Sequence, residues 1–220
     1  MNLALFDLDN TLLNGDSDFE WSQFLIRTGV LDRELFEVKN LAFYEQYKAG
    51  TLDIHEFLDF QLKPLSRHAR KVLDAWHLQF MQESIMPMIT QPARNLVNLH
   101  RKANDVCVII TATNSFVTSP IAREFGITHL IATEPEHKDG EFTGRVAGVP
   151  CFREGKITRL DEWLAERGWT LESFENTVFY SDSLNDLPLL CKVKQPVAAN
   201  PDATLRKHAE QHGWRIINLH

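Results

Sequence analysis

Asp7 and Asp9 stand one residue apart, Thr11 follows at the same interval, and the residues just before them, Leu3 to Phe6, are all apolar. A short apolar run of this kind reads as a strand buried on both faces. Two carboxylates at the end of such a strand are costly unless something offsets their charge, and no basic residue lies near them in the chain. A hard divalent cation would offset it, because such ions take carboxylate oxygens as ligands. The chemistry indicated is metal-assisted, at the carboxyl edge of a parallel sheet, where open α/β folds collect their ligands.

Polar groups gather at two further strand ends. Thr111 closes the apolar run from Val106 and leads through Ala112-Thr113-Asn114-Ser115 into an expected helix. Asp182 follows Thr177-Val178-Phe179-Tyr180-Ser181, with Asn185 and Asp186 just beyond, and Lys156 opens the helix before that strand. Taken singly, Thr111 and Ser115 read equally well as helix caps, Asp182 as a cap for a helix at Leu184, and Lys156 as a surface lysine. Taken together, four carboxylates at one edge repel, by about 4 kcal/mol per pair at 4 Å and an effective dielectric of 20. A cation together with Lys156 would neutralise them and suit the site to phosphate. The Thr111 hydroxyl and the amides that follow it would hold phosphate oxygens. Positioning and charge neutralisation are most of what phosphoryl transfer requires.

Hydrophobic periodicity outlines the elements that must position these groups. Residues 2–8 read as the first strand. From Asp16 to Glu83 apolar residues recur at helical spacing, among them Trp21, Phe24, Phe36, Leu41, Leu58, Leu62, Leu73 and Phe80. Breaks at Gly29, Gly50 and Pro64 divide this block into roughly four helices without a strand. Beyond it, 93–103 reads as an amphipathic helix, 105–111 as a second buried strand, 115–125 as a helix and 128–132 as a short strand. Residues 140–146 read as a hairpin piece, by the Asp139-Gly140 turn. There follow a helix at 156–167, a third buried strand at 177–180, a short helix at 184–190, and a strand including Val193 and Val197–Ala199. A helix at 202–212 and a strand at 215–217 come last. Strands alternating with helices imply an α/β fold with a mainly parallel sheet flanked by helices, here carrying a helical insertion.

Composition removes several function classes. The 220 residues carry a formal net charge of −7, with a pI near 5.7. That is no footprint for nucleic acid. No apolar run is long enough to span a membrane, and no basic segment leads into a long apolar one, so no secretory signal is expected. Cys107, Cys151 and Cys191 are odd in number and widely spaced, as for reduced thiols in a cytoplasmic protein. The oligomeric state stays open. A calcium-loop reading of Asp7 to Glu20 fails at loop position six, where Leu12 replaces the required glycine. His208 and His212 share a helix face but have no third ligand, and read as solvated.

In order and spacing, Asp7-Leu8-Asp9-Asn10-Thr11, Thr111, Lys156 and Ser181-Asp182-Ser183-Leu184-Asn185-Asp186 resemble the motifs of the haloacid-dehalogenase-like (HAD) phosphatase superfamily. Ser181 stands where glycine is common. The resemblance runs along the whole chain, and the helical block resembles the cap of subfamily IB, which includes phosphoserine phosphatases. It implies a Rossmann-like core of residues 1–14 and 87–220 and a helical-bundle cap of residues 15–86, hinged near Gly15 and Pro87. It implies Mg²⁺ held by the Asp7 carboxylate, the Asp9 carbonyl and Asp182. Asp7 would be the nucleophile that forms an aspartyl-phosphate, and Asp9 the general acid and base. Thr111, Ala112 and Lys156 would bind the phosphoryl group, with Thr11, Asn185 and Asp186 in support.

The resemblance also bears on the substrate, a small phosphorylated metabolite. Phosphoserine phosphatases receive the substrate ammonium on a glutamate shortly after the first motif, and Asp16 falls at that offset. Asp16 and Asp18 would therefore hold an amine, although a solvated pair capping the helix near Phe19 reads equally well. Where those phosphatases use a cap arginine for the substrate carboxylate, alignment through Gly50-Thr51-Leu52 sets Gln61, with Arg67 and Arg70 out of register. An amine without a carboxylate suits histidinol phosphate, with phosphoserine as the alternative. A phosphomutase, a receiver-like signalling protein and an inactive metabolite binder are further alternatives. A receiver would carry adjacent acids and no helical block, and the complete set of Asp7, Asp9, Thr111, Lys156 and Asp182 argues against an inactive binder.

Overall fold

Leu3 and Leu5 pack on one face of the first strand and Ala4 and Phe6 on the other, and all four are fully buried. The continuous apolar run therefore marks a central strand covered on both sides. The computed structural model describes residues 1–220. Its strands are β1 (Asn2–Phe6), β2 (Val106–Asn114), β3 (His129–Lys138), β4 (Glu141–Ala147), β5 (Asn176–Ser181), β6 (Gln195–Ala199) and β7 (Arg215–Ile217). They form a seven-stranded sheet in the order β4-β3-β2-β1-β5-β6-β7. Every neighbouring pair is parallel except the β3–β4 hairpin. Phe6 lies opposite both Ile109 and Tyr180. That register brings Asp7, Thr111 and Asp182 to one edge.

The helices are α1 (Ser17–Arg27), α2 (Arg33–Ala49), α3 (Ile54–Leu62) and α4 (Arg70–Phe80), which runs through a π turn into the short α5 (Met86–Met88). After these come α6 (Gln91–Lys102), α7 (Ser115–Glu124), α8 (Glu154–Ala165), α9 (Leu187–Leu190) and α10 (Ala203–His212). One sheet face is covered by α6 and α7, the other by α8, α9 and α10. The helical cap between β1 and α6 starts its first three helices on aspartate caps, Asp16, Asp32 and Asp53. It does not have a core of its own. Trp21 of α1 meets Phe80 of α4 and Phe116 of α7 at centroid distances of 5.1 and 5.5 Å, and cap and sheet side chains merge in one apolar cluster. The two crossings are tied together, Asn14 N donating to Met88 O at 2.8 Å. The hairpin props the far side of the cap: the Arg70 amide donates to Glu141 at 2.6 Å. A Cβ on Gly144 would stand 2.9 Å from Ser66 Oγ and 3.3 Å from Lys63 Cα, so only glycine allows this approach.

Several element limits differ from those the periodicity suggests. β1 stops at Phe6, because the next residues fold into a turn in which Thr11, Leu12 and Leu13 all donate to Leu8 O. β2 continues past Thr111 to pair Asn114 with Thr133, and β3 extends to Lys138 to reach the hairpin turn. Val193 lies before β6: the next amide, Lys194 N, bonds the Thr177 hydroxyl. No helix is long and apolar enough to cross a membrane.

Candidate active site

The two acids of the first motif diverge at once. Asp7 N donates to Tyr180 O at 2.9 Å, which keeps Asp7 in line with β1 and aims its side chain at the edge. Lys156 Nζ donates to Asp7 Oδ1 at 2.8 Å and to Asp186 Oδ2 at 2.7 Å. Ser181 Oγ also donates to Asp186 Oδ2, at 2.7 Å. Thr11 Oγ1 sits 3.2 Å from Asp7 Oδ2 and 3.1 Å from Asp182 Oδ1. Its one proton serves only one of them at a time. Lys156 comes from the first turn of α8. That turn needs Gly155, because a Cβ there would stand 2.0 Å from Pro150 O. Asp7, Asp9, Asp16, Asp18, Gln61, Thr111, Ala112, Lys156 and Asp186 line one pocket. Thr11, Asp182 and Asn185 lie just outside it.

Asp9 turns the other way. Its carboxylate accepts from Ser17 N at 2.6 Å, from Thr113 Oγ1 at 2.8 Å and, weakly, from Thr111 Oγ1 at 3.4 Å. Its side chain thus faces the first amide of the cap helix α1. The absence of a cation near Asp7 and Asp9 in the sequence is made good in space only for Asp7, by Lys156.

Burial and charge together set how the cluster titrates. Burial above all pushes Asp7 up to about 7, against Lys156 and with help from Asp186. Burial, then Asp7 and Asp186, raise Asp182 well above its ordinary value. Burial alone would lower Lys156, but Asp186 and Asp7 outweigh it and hold the ammonium firmly charged.

At the cap end Asp16 does cap α1, accepting from Asp18 N at 3.0 Å and Phe19 N at 2.8 Å. The pair is not solvated, however: Asp18 is buried, with Asn114 Nδ2 donating to it at 3.5 Å. Burial, then Asp16 and Asp9, raise the Asp18 carboxyl well above 3.8. Gln61 is buried as well, accepting from Ser22 Oγ at 2.9 Å and donating to Asn40 Oδ1 at 3.3 Å. Arg67 and Arg70 do not line the pocket, and Arg70 pairs with Asp74 at 2.8 Å. Lys156 is the pocket's one cation, and Phe19, Phe43, Tyr44, Tyr47, Phe57 and Phe152 supply its aromatic wall.

Three readings as helix caps are replaced. Asn114, not Thr111 or Ser115, caps α7, accepting from Val117 N; Ser115 instead donates to Glu134. Ser183, not Asp182, accepts from Asn185 N at 3.2 Å. Sequence reasoning also passed over Thr113, Tyr47, Phe152 and Arg153. Thr113 was visible only as a second threonine beside Thr111. Arg153 precedes Lys156 by three positions, yet no spacing rule marks it. Its Nε donates to Asn185 Oδ1 at 3.1 Å and its Nη2 to Gly50 O.

A curated histidinol-phosphatase of Neisseria meningitidis serogroup C is 50% identical over 219 residues, 99% of each chain. A phosphoserine phosphatase of Mycobacterium tuberculosis, SerB1, is 32% identical over 97% of this chain and 69% of its own. Among solved structures, a Bordetella pertussis Tohama I protein described as of unknown function superposes with a TM-score of 0.95 at 49% identity, covering 100% of this chain and 99% of that one. A substrate-bound phosphoserine phosphatase shares the fold, with a TM-score of 0.69 at 21% identity over 98% of this chain and 91% of its own. The model of the haloacid dehalogenase-like hydrolases matches residues 4–190. With Asp7, the cap and the acidic strand ends after it inside that span, the chain belongs to the haloacid dehalogenase-like hydrolase family.

Proposed function

We propose that this chain is a magnesium-dependent phosphomonoester hydrolase acting on histidinol phosphate, with residues 15–86 as the cap that selects the substrate. One observation carries the substrate: the pocket holds Asp16 and Asp18 at its cap end, and its single cation, Lys156, is already engaged by Asp7 and Asp186. Such a pocket favours an amine and leaves a substrate carboxylate without a partner. Gln61, locked between Ser22 and Asn40, offers an amide where a carboxylate would need an arginine.

The residues fit a hard divalent cation. Asp7, Asp182 and Asp186 are buried beside one lysine, and Asp182 has only Thr11 as a side-chain donor. Histidine, cysteine and carboxylate side chains alone make no group of three ligands. The Asp9 carbonyl, to which no loop amide donates, would complete the set with Asp7 and Asp182. Mg²⁺ bound there would neutralise charge on the phosphoryl oxygens.

In the first step an Asp7 oxygen bonds phosphorus as the ester P–O bond breaks, and Asp9 delivers its proton to the departing alkoxide. In the second, Asp9 takes a proton from water, the water oxygen bonds phosphorus, and Asp7 leaves with inorganic phosphate as the product. Lys156 and Thr111 hold phosphoryl oxygens throughout. Ser17 N and Thr113 orient Asp9, so the acid is set by the cap as well as by the core. Three unpaired cysteines support a reducing, cytoplasmic setting. The test is kcat/KM for histidinol phosphate and for phosphoserine with magnesium present. A preference for histidinol phosphate supports the reading; equal, feeble rates on both sink it.

A further inference from the structure

We propose that Arg153 is a positioning residue that latches the cap helix α2 onto the core and thereby sets the preference for substrates that reach the cap. The proposal rests on the functional reading above. It starts from the loop Pro150–Arg153, which leaves the sheet just before α8. Phe152 packs against Phe43 and Leu52 of the cap in an apolar cluster separate from the two large ones. The next residue, Arg153, donates from Nη2 to Gly50 O and from Nε to Asn185 Oδ1 at 3.1 Å. Asn185 Nδ2 donates in turn to Tyr47 O at 3.0 Å. Two carbonyls at the C-terminal end of α2 are thus held by two core side chains that also hold each other. A helix C-terminus carries partial negative charge and leaves its last carbonyls without helical partners, so a guanidinium is the matching group.

The backbone supplies an independent observation. Arg153 has φ 51° and ψ −119°, a conformation that glycine adopts at much lower cost than any residue with a Cβ. Retaining an arginine there is explained if the side chain is needed. Two other links make the latch consequential. Asn185 adjoins Asp186, which holds Lys156, and α2 contributes Asn40, Phe43, Tyr44 and Tyr47 to the pocket wall.

The experiment compares Arg153→Gly and Arg153→Lys with the unaltered chain, using histidinol phosphate and p-nitrophenyl phosphate, which has no amine for the cap to recognise. Arg153→Gly is expected to keep or raise Tm. It should lower kcat/KM for histidinol phosphate by about tenfold or more, chiefly through KM, while p-nitrophenyl phosphate loses no more than about threefold. Arg153→Lys, which retains the charge, should fall between the two. Hydrogen exchange over residues 43–52 should quicken in Arg153→Gly while β1 stays protected. Unchanged exchange there overturns the latch, whichever esters are hydrolysed. So does an unchanged substrate ratio, an equal loss on both esters, or Arg153→Lys behaving as Arg153→Gly. If the unaltered chain hydrolyses neither ester with magnesium, the functional reading fails, and the exchange measurement still decides the latch.

Discussion

Gln61 donates its amide to Asn40 Oδ1 at 3.3 Å, joining α3 to α2 inside the cap. On the proposed reading, this neutral pair stands where a pocket for an amino acid would need a cation for the carboxylate. Gln61→Arg would set a guanidinium against Asn40 and Ser22, within reach of a substrate carboxylate. Steady-state assays should show kcat/KM for phosphoserine relative to histidinol phosphate rising by about tenfold or more. A ratio that does not move would remove Gln61 from the specificity argument.

Asp7→Asn should leave the circular dichroism spectrum intact and abolish turnover. Retention of about a tenth of the rate would exclude Asp7 as nucleophile. Asp9→Asn should lose ~10²–10⁴ in kcat. Because hydrolysis of the intermediate also needs this base, a phosphoenzyme should accumulate, visible as a mass increase in the intact protein.

Lys156 is buried between two carboxylates, so Lys156→Met leaves Asp7 and Asp186 without their cation. Breaking a buried pair in this way costs about 3–5 kcal/mol, roughly 6–20 °C in Tm for a chain of this size. Thermal unfolding should show that loss without metal and a partial recovery with magnesium. An identical Tm with and without the lysine would mean that the acids are neutral in the folded chain.

Asp18 has its folded carboxyl raised well above 3.8, chiefly by burial. A raised acid binds its proton more tightly when folded, so stability is lost as pH climbs from 3.8 through the folded value. Asp18→Asn should therefore raise Tm at pH 8 more than at about pH 4, and should raise KM for an amine ester. A lower Tm at pH 8 would show that the ionised group is satisfied in place.

His77 is buried, donates from Nε2 to Val117 O at 2.9 Å, and has its pKa lowered, mainly by burial. The unfolded chain takes up the proton first, so stability is full above about pH 6.5 and is lost as pH falls below it. His77→Gln keeps a donor toward Val117 and removes the titration. Its Tm should drop less than that of the unaltered chain between about pH 7 and pH 5. Parallel curves would assign the acid sensitivity to other groups.

Much of this was readable from the chain. Strands buried on both faces write themselves as unbroken apolar runs, so β1, β2 and β5 and the polar groups at their ends could be found without coordinates. The cap helices showed in the 3.6-residue recurrence of their buried faces. The limits failed where pairing, not composition, decides: β2 and β3 run on because their ends meet each other and β4.

By itself the sequence determined which groups stand at the sheet edge, since each follows a strand whose burial is a local property of residue type. Only the tertiary structure decided which way they face and what they touch. Lys156 reaches Asp7 across 149 positions, Asp9 turns to the cap amide of Ser17, Asp18 is buried rather than solvated, and Arg153 finds the end of α2. These outcomes depend on register and on contacts between distant segments, which carry no periodic trace in the residues that make them.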